Sequence, residues 1–157
     1  MNREALYSFM SHCRYGVVSS LSSSGAPQSA LVGIAVTRQL DIVFDTVNSS
    51  RKYANLTENS LCSIVLGWDG EKTVQFEGNA KELREPYMMR YRDAYFEVFP
   101  DAPTRLSWPG ITHFVVHPTW IRYSDFDQKP AFVYETTFAR SIDVSISDSA
   151  RSTEALR

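Results

Sequence analysis

The stretch Thr73-Val74-Gln75-Phe76-Glu77-Gly78-Asn79-Ala80-Lys81-Glu82-Leu83 alternates without a break. Val74, Phe76, Gly78 and Ala80 fall on one side, and Gln75, Glu77, Asn79 and Lys81 on the other. A period of two over that length is a strand with one face in a core. It follows the turn Asp69-Gly70-Glu71-Lys72, whose Asp-Gly pair favours a hairpin back to the apolar run Leu61-Cys62-Ser63-Ile64-Val65-Leu66. A chain built around such a pair is an antiparallel sheet protein.

The remaining segments extend that sheet. Residues 15–21, 28–36 and 40–46 read as strands, with the turn chemistry Ser22-Ser23-Ser24-Gly25-Ala26-Pro27 between the first two. Thr37-Arg38-Gln39 make the hairpin connection between the second and third. Residues 61–68 and 73–83 follow. Residues 111–123 form a long strand with a break expected at Pro118, and residues 131–138 form another. Residues 3–13 read as a short amphipathic helix with Leu6, Phe9 and Met10 on one side. Residues 85–99 read as a second, with Met88, Tyr91, Tyr95 and Phe99 as its apolar stripe and Pro86 in its first turn. Residues 100–109 read as a loop. About seven strands with short connections and two or three helices predict a mainly β fold, a closed or partly closed antiparallel barrel with helices packed outside.

The 157 residues suit one domain over residues 1–140. Residues 141–157 form a polar arm in which Ile142, Val144 and Ile146 alternate weakly. A net charge of -2 argues against a nucleic-acid partner, for which a basic stripe is expected. Cys13 and Cys62 make no disulfide framework, and Cys62 reads as a buried core thiol. The N-terminus lacks a secretory pattern, and no stretch approaches the ~18 apolar residues of a membrane span, so a cytoplasmic protein is expected. No metal-ligand spacing is present. His113 and His117 share a strand face but lie roughly 13 Å apart by strand rise, too far to hold one ion.

The segment Ser49-Ser50-Arg51-Lys52-Tyr53-Ala54-Asn55-Leu56 carries the chemistry. Asn48, Ser49 and Ser50 are good N-cap residues, which places Arg51 and Lys52 in a first helical turn. The free N–H groups there already carry partial positive charge. Two cations at that end become favourable when an anion sits between them, and a phosphate is the usual guest. The alternative is that both side chains point into water.

The chain resembles the FMN-binding split-barrel family, the pyridoxamine 5'-phosphate oxidase-like flavoproteins. The resemblance spans about residues 12–125 and rests on Ile42-Val43-Phe44-Asp45-Thr46, then Ser50-Arg51-Lys52, then Thr73-Val74-Gln75-Phe76-Glu77-Gly78. Phe99-Pro100-Asp101-Ala102 and Pro118-Thr119-Trp120-Ile121-Arg122-Tyr123 add to it. It implies FMN as cofactor, with the phosphate on Arg51 and Lys52 and a further donor from Ser50. It also implies that Thr46 and Asp45 meet the flavin ring at a strand end, that Gln75 approaches the ring edge, and that Gln28-Ser29-Ala30-Leu31 line it. Trp68, Trp108 and Trp120 are candidate pocket walls. The family's strand-two Arg has no counterpart, since Gln28 and Val32 stand near that place, and its C-terminal Trp and Arg are missing. Oxidation of a vitamin B6 phosphate is therefore not expected. The resemblance further implies a homodimer with flavin sites at the interface and oxidoreductase chemistry on a small molecule. The alternatives are a non-catalytic flavin-binding or stress module, and a haem or deazaflavin binder on the same fold, with His113 or His117 as axial candidates.

Overall fold

The computed structural model describes residues 1–139; the arm from residue 141 lies outside them. The elements are α1 (Arg3–Ser11), β1 (Tyr15–Leu21), β2 (Pro27–Gly33), β3 (Ala35–Val36), β4 (Ile42–Val47), α2 (Arg51–Glu58), β5 (Leu61–Leu66), β6 (Lys72–Glu82), α3 (Met88–Val98), β7 (Ile111–Asp125) and β8 (Phe132–Thr137). The strands form one sheet in the order β2-β1-β5-β6-β7-β4-β3, with β8 beside β7. Every pairing is antiparallel.

The two ends of that order, β2 and β3, are separated in sequence only by Ile34. The expected strand over residues 28–36 therefore splits. Its first part pairs with β1, and Ala35 and Val36 cross to pair with β4. One run of chain thus serves both ends of the sheet, which must curl toward closure as a split barrel. The turn into β4 needs Leu40 at φ 70°, a left-handed conformation that costs a leucine energy. Leu40 is fully buried, so hydrophobic burial offsets that cost.

β6 behaves as its alternation predicts. Val74, Phe76 and Ala80 face the barrel core with Ile64, Phe44, Ile121 and Tyr123. β7 does not break at Pro118 but changes parity there. Phe114 and Val116 face the core before it, Ile121 and Tyr123 after it. The pairing with β6 shifts register between Glu77 and Gly78, so one extra residue is accommodated opposite them. The Thr119 hydroxyl donates to the Glu77 carbonyl at 3.1 Å.

Helices α1 and α2 bury side chains in this core, and α3 builds a second one. α1 is capped by Asn2, which accepts from the Ala5 amide, and it buries Leu6 and Met10. Each such side chain stabilises by about 1.5–3 kcal/mol relative to exposure. α3 starts at Met88, two residues beyond Pro86, and its stripe forms a second small core. Tyr95 and Phe99 pack there with Val43, Ala35 and Val115, flanked by Met88 and Tyr91. The expected loop at residues 100–109 contains a 3-10 helix, Ala102–Ser107. β4 is sandwiched between the two cores, with Ile42 and Phe44 on the barrel side and Val43 on the α3 side.

Candidate functional site

β4 ends beside the start of α2, and the turn between them brings four polar side chains together. Ser50 is the N-cap, and its hydroxyl accepts from the Tyr53 amide at 3.2 Å. Ser50 Oγ lies 2.9 Å from Thr46 Oγ1. Lys52 Nζ donates to Thr46 Oγ1 at 3.3 Å. Arg51 Nε donates to Gln28 Oε1 at 3.1 Å. No acidic residue occupies the first turn of α2. The start of α2 therefore carries two cations and, through Ser50 and Thr46, two hydroxyls beside a helix N-terminus, with no acidic residue in that first turn. That donor set matches a phosphate group.

The other expected site residues are distributed differently. Asp45 alternates with Thr46 and points to the α3 side. There its carboxylate accepts from Arg105 Nε at 3.0 Å and from the Tyr95 hydroxyl at 2.9 Å. Burial and the adjacent carboxylate both raise the Tyr95 pKa. The Asp45 side chain is committed to this pairing and does not join the cradle. Ala30 is half-buried and pairs with Val18 on the inner side of β2. Ser29 and Gln75 lie exposed on the outer face of the sheet. Ser29 Oγ is 2.7 Å from Ser19 Oγ, and Gln75 stands between Val65 and Arg122 in the ladders. Neither meets Arg51 within one chain.

Sequence reasoning missed two supports. Asn55, buried on α2, donates to Ser20 and to Gln28, each at 3.0 Å. An amide next to Leu56 on the buried side of a helix was the available signal. Glu82 accepts from Thr112 at 2.8 Å and from the Tyr53 hydroxyl at 3.4 Å. Burial raises its pKa, but these donors and Arg84 outweigh that and lower it.

His113 and His117 share the α3 side, away from the cradle. His113 is buried against the rings of Tyr95 and Phe96, at 5.5 and 6.0 Å. His117 Nδ1 lies 2.9 Å from Asp41 Oδ1. Trp68 and Trp108 are exposed, and Trp120 is half-buried opposite Glu77. A cavity of about 660 Å³ opens between α1 and the β5–β6 connection, lined by Phe9, His12, Cys13, Tyr15 and Trp68. None of its lining residues belongs to the cradle.

The family model for pyridoxamine 5'-phosphate oxidase matches residues 3–125. The chain belongs to that family. Comparison with the curated proteins gave no match. Among solved structures, the family fold recurs in a haem-binding protein from Mycobacterium smegmatis, at 15% identity and TM-score 0.74 over 86% of this chain. The chain spans 57% of that protein's length. A pyridoxamine 5'-phosphate oxidase-related, FMN-binding protein from Nostoc punctiforme matches at 12% identity and TM-score 0.68, over 88% of this chain and 85% of the other. HutZ, the haem storage protein of Vibrio cholerae, matches at 15% identity and TM-score 0.64, over 73% and 88%. At these identities the likeness is one of fold, so the choice of ligand within the family rests on this chain's own residues.

Proposed function

We propose that this family member is a cytoplasmic, homodimeric flavoprotein that binds FMN and acts as an oxidoreductase on a small molecule. The observation that carries this reading is the pair Arg51 and Lys52 in the first turn of α2, beside the linked hydroxyls of Ser50 and Thr46 and with no acidic residue in that turn. Arg51 supplies a fork and Lys52 a point charge for the phosphate. FMN, when bound, supplies hydride or electron transfer at its ring, so the chain needs no acid–base pair of its own. The protein holds the tail and positions the ring against the end of β4.

Ser29 and Gln75 fit the same reading through a second copy. They share the outer face of the sheet with exposed Leu31, Val65 and Leu61. A two-fold contact through this face covers those apolar groups, and it lets Gln75 of one copy serve the flavin held by the other.

A haem-binding reading has one specific support besides the fold likeness. His117 is half exposed, and its Nδ1 faces a buried carboxylate. That arrangement leaves Nε2 as the atom that would ligate. The absorption spectrum of freshly purified protein, followed by release and mass of the chromophore, separates the two. A flavin spectrum with FMN mass supports the proposal; a haem Soret band overturns it. Turnover of a reduced nicotinamide or an oxygen-dependent substrate then separates an enzyme from an idle flavin carrier.

A further inference from the structure

The Arg51 side chain is exposed, yet it does not hang loose. Its Nε donates to Gln28 Oε1 at 3.1 Å. The same oxygen receives Asn55 Nδ2 at 3.0 Å, and that nitrogen also donates to Ser20 Oγ at 3.0 Å. Arginine has only donors, so the atom of Gln28 facing it must be the carbonyl oxygen. Ser20 and Gln28 are paired across β1 and β2. Ser20 is 3% exposed and Asn55 7% exposed. Three elements therefore fix the position of one carbonyl oxygen, and that oxygen fixes one edge of a guanidinium.

We infer that Gln28 is a positioning residue for the phosphate cradle: by holding Arg51 through Nε, it aims the two terminal guanidinium nitrogens at the bound anion. This deepens the FMN reading and rests on it. A guanidinium is planar, so fixing Nε also fixes the plane of the nitrogens left over. Lys52 is held in the same manner by Thr46 Oγ1. Gln28 is also neutral. A carboxylate at the same place would accept the same hydrogen bonds but cancel one of the two positive charges. The amide keeps the full double charge available, which suits the dianion of a terminal phosphate monoester.

A double-mutant cycle on the full chain tests this, with FMN and riboflavin as probes. Riboflavin lacks the phosphate and reports ring binding and fold integrity. Gln28→Leu is expected to weaken FMN by about tenfold while leaving riboflavin affinity unchanged. In an Arg51→Ala background the same substitution is expected to cost FMN less than about twofold, because its target is gone. An equal penalty in both backgrounds overturns the inference. So does a parallel loss of riboflavin, which would make Gln28 a ring contact or a fold residue. Gln28→Glu keeps both accepted hydrogen bonds and guards against a Leu variant that fails to fold. It is expected to retain the melting temperature and to lose FMN affinity by about tenfold at low salt. Natural FMN affinity in Gln28→Glu overturns the inference as well. If Arg51→Ala alone binds FMN as tightly as the natural chain, the cradle reading itself fails and the role of Gln28 fails with it.

Discussion

Arg105, on the 3-10 helix, donates through Nε to Oδ2 of Asp45, on β4, at 3.0 Å and across 60 residues of sequence. Both side chains are about four-fifths buried, at 19% and 18% exposure. Tyr95 donates to the second carboxylate oxygen, and Asp101 pairs with the far end of Arg105 at 2.7 Å. This cluster pins the segment before the last β-strand pair to β4, the strand that carries Thr46. Arg105→Ala leaves the Asp45 carboxylate with a single side-chain donor in a small core. The expected loss of stability is about 1–3 kcal/mol, below the range for a fully buried pair because water still reaches this one. Equilibrium urea unfolding measures it. A change within about 0.5 kcal/mol would show the pair to be ornamental.

Arg51→Ala combined with Lys52→Ala removes both cations and leaves the cap of α2, which is made by Ser50. FMN affinity is expected to fall by about two orders of magnitude or more, since each charge-assisted contact contributes roughly 1.5–3 kcal/mol. Riboflavin affinity should stay where it was. Fluorescence titration with the two flavins reads both quantities. Equal FMN affinity in the double variant would remove the phosphate from α2.

The pattern of what was legible follows from the range of the forces involved. The strand Lys72–Glu82 is legible because Val74, Phe76, Gly78 and Ala80 are buried at every second position. The cradle was visible because N-cap chemistry is local: Ser50, Arg51 and Lys52 are consecutive. The split at Ile34 was not visible, because residues 28–36 keep one parity throughout and only the choice of partner strand changes. The continuity of β7 through Pro118 depended on a bulge whose other half is on β6, 40 residues away in sequence. The resemblance sets Asp45 beside Thr46 at the strand end that meets the ring, and adjacency on a strand sends the two side chains to opposite faces, so the Asp45 carboxylate turns to the α3 side. Its true partner, Arg105, lies in what reads as a featureless loop.

His113 gives the fold a defined response to acid. Burial lowers its pKa below the ordinary value, the nearby Asp45 carboxylate works against that, and the Arg92 and Arg105 charges add to the lowering. Its Nε2 is buried without a hydrogen-bond partner. The unfolded chain therefore binds a proton at this residue more readily than the folded chain does. The stability that neutral His113 contributes is complete above about pH 6.5, the unfolded value. It is lost as pH falls from there through the lower folded value. Urea unfolding at pH 8 and at pH 5 is expected to show lower stability at pH 5. His113→Phe, which fits among Tyr95 and Phe96, should flatten that difference. An unchanged pH dependence in the Phe variant would assign it to other groups.

Cys62 and Cys13 should separate cleanly in their reactivity. Cys62 faces the barrel core between β1 and β6, and burial alone pushes its thiol up to about 12. The thiolate is the reactive species, so at neutral pH almost none is present and access is closed as well. Cys13 is half-buried at the end of α1, its Sγ 3.6 Å from the Phe9 carbonyl oxygen. Burial and the neighbouring Asp69 charge raise its pKa too, so it is a slow thiol rather than a nucleophile. It also borders the open cavity beneath α1, which a small reagent can enter. Titration of the folded chain with an aromatic disulfide reagent at pH 8 is therefore expected to label one thiol slowly. The second should follow only at the rate of global unfolding. Cys13→Ser should abolish the first phase and leave the second intact. Prompt labelling of Cys62 in the folded Cys13→Ser variant would mean that the barrel opens locally between β5 and its neighbours, and the packed core described for Ile64, Phe76 and Ile121 would not hold at that strand.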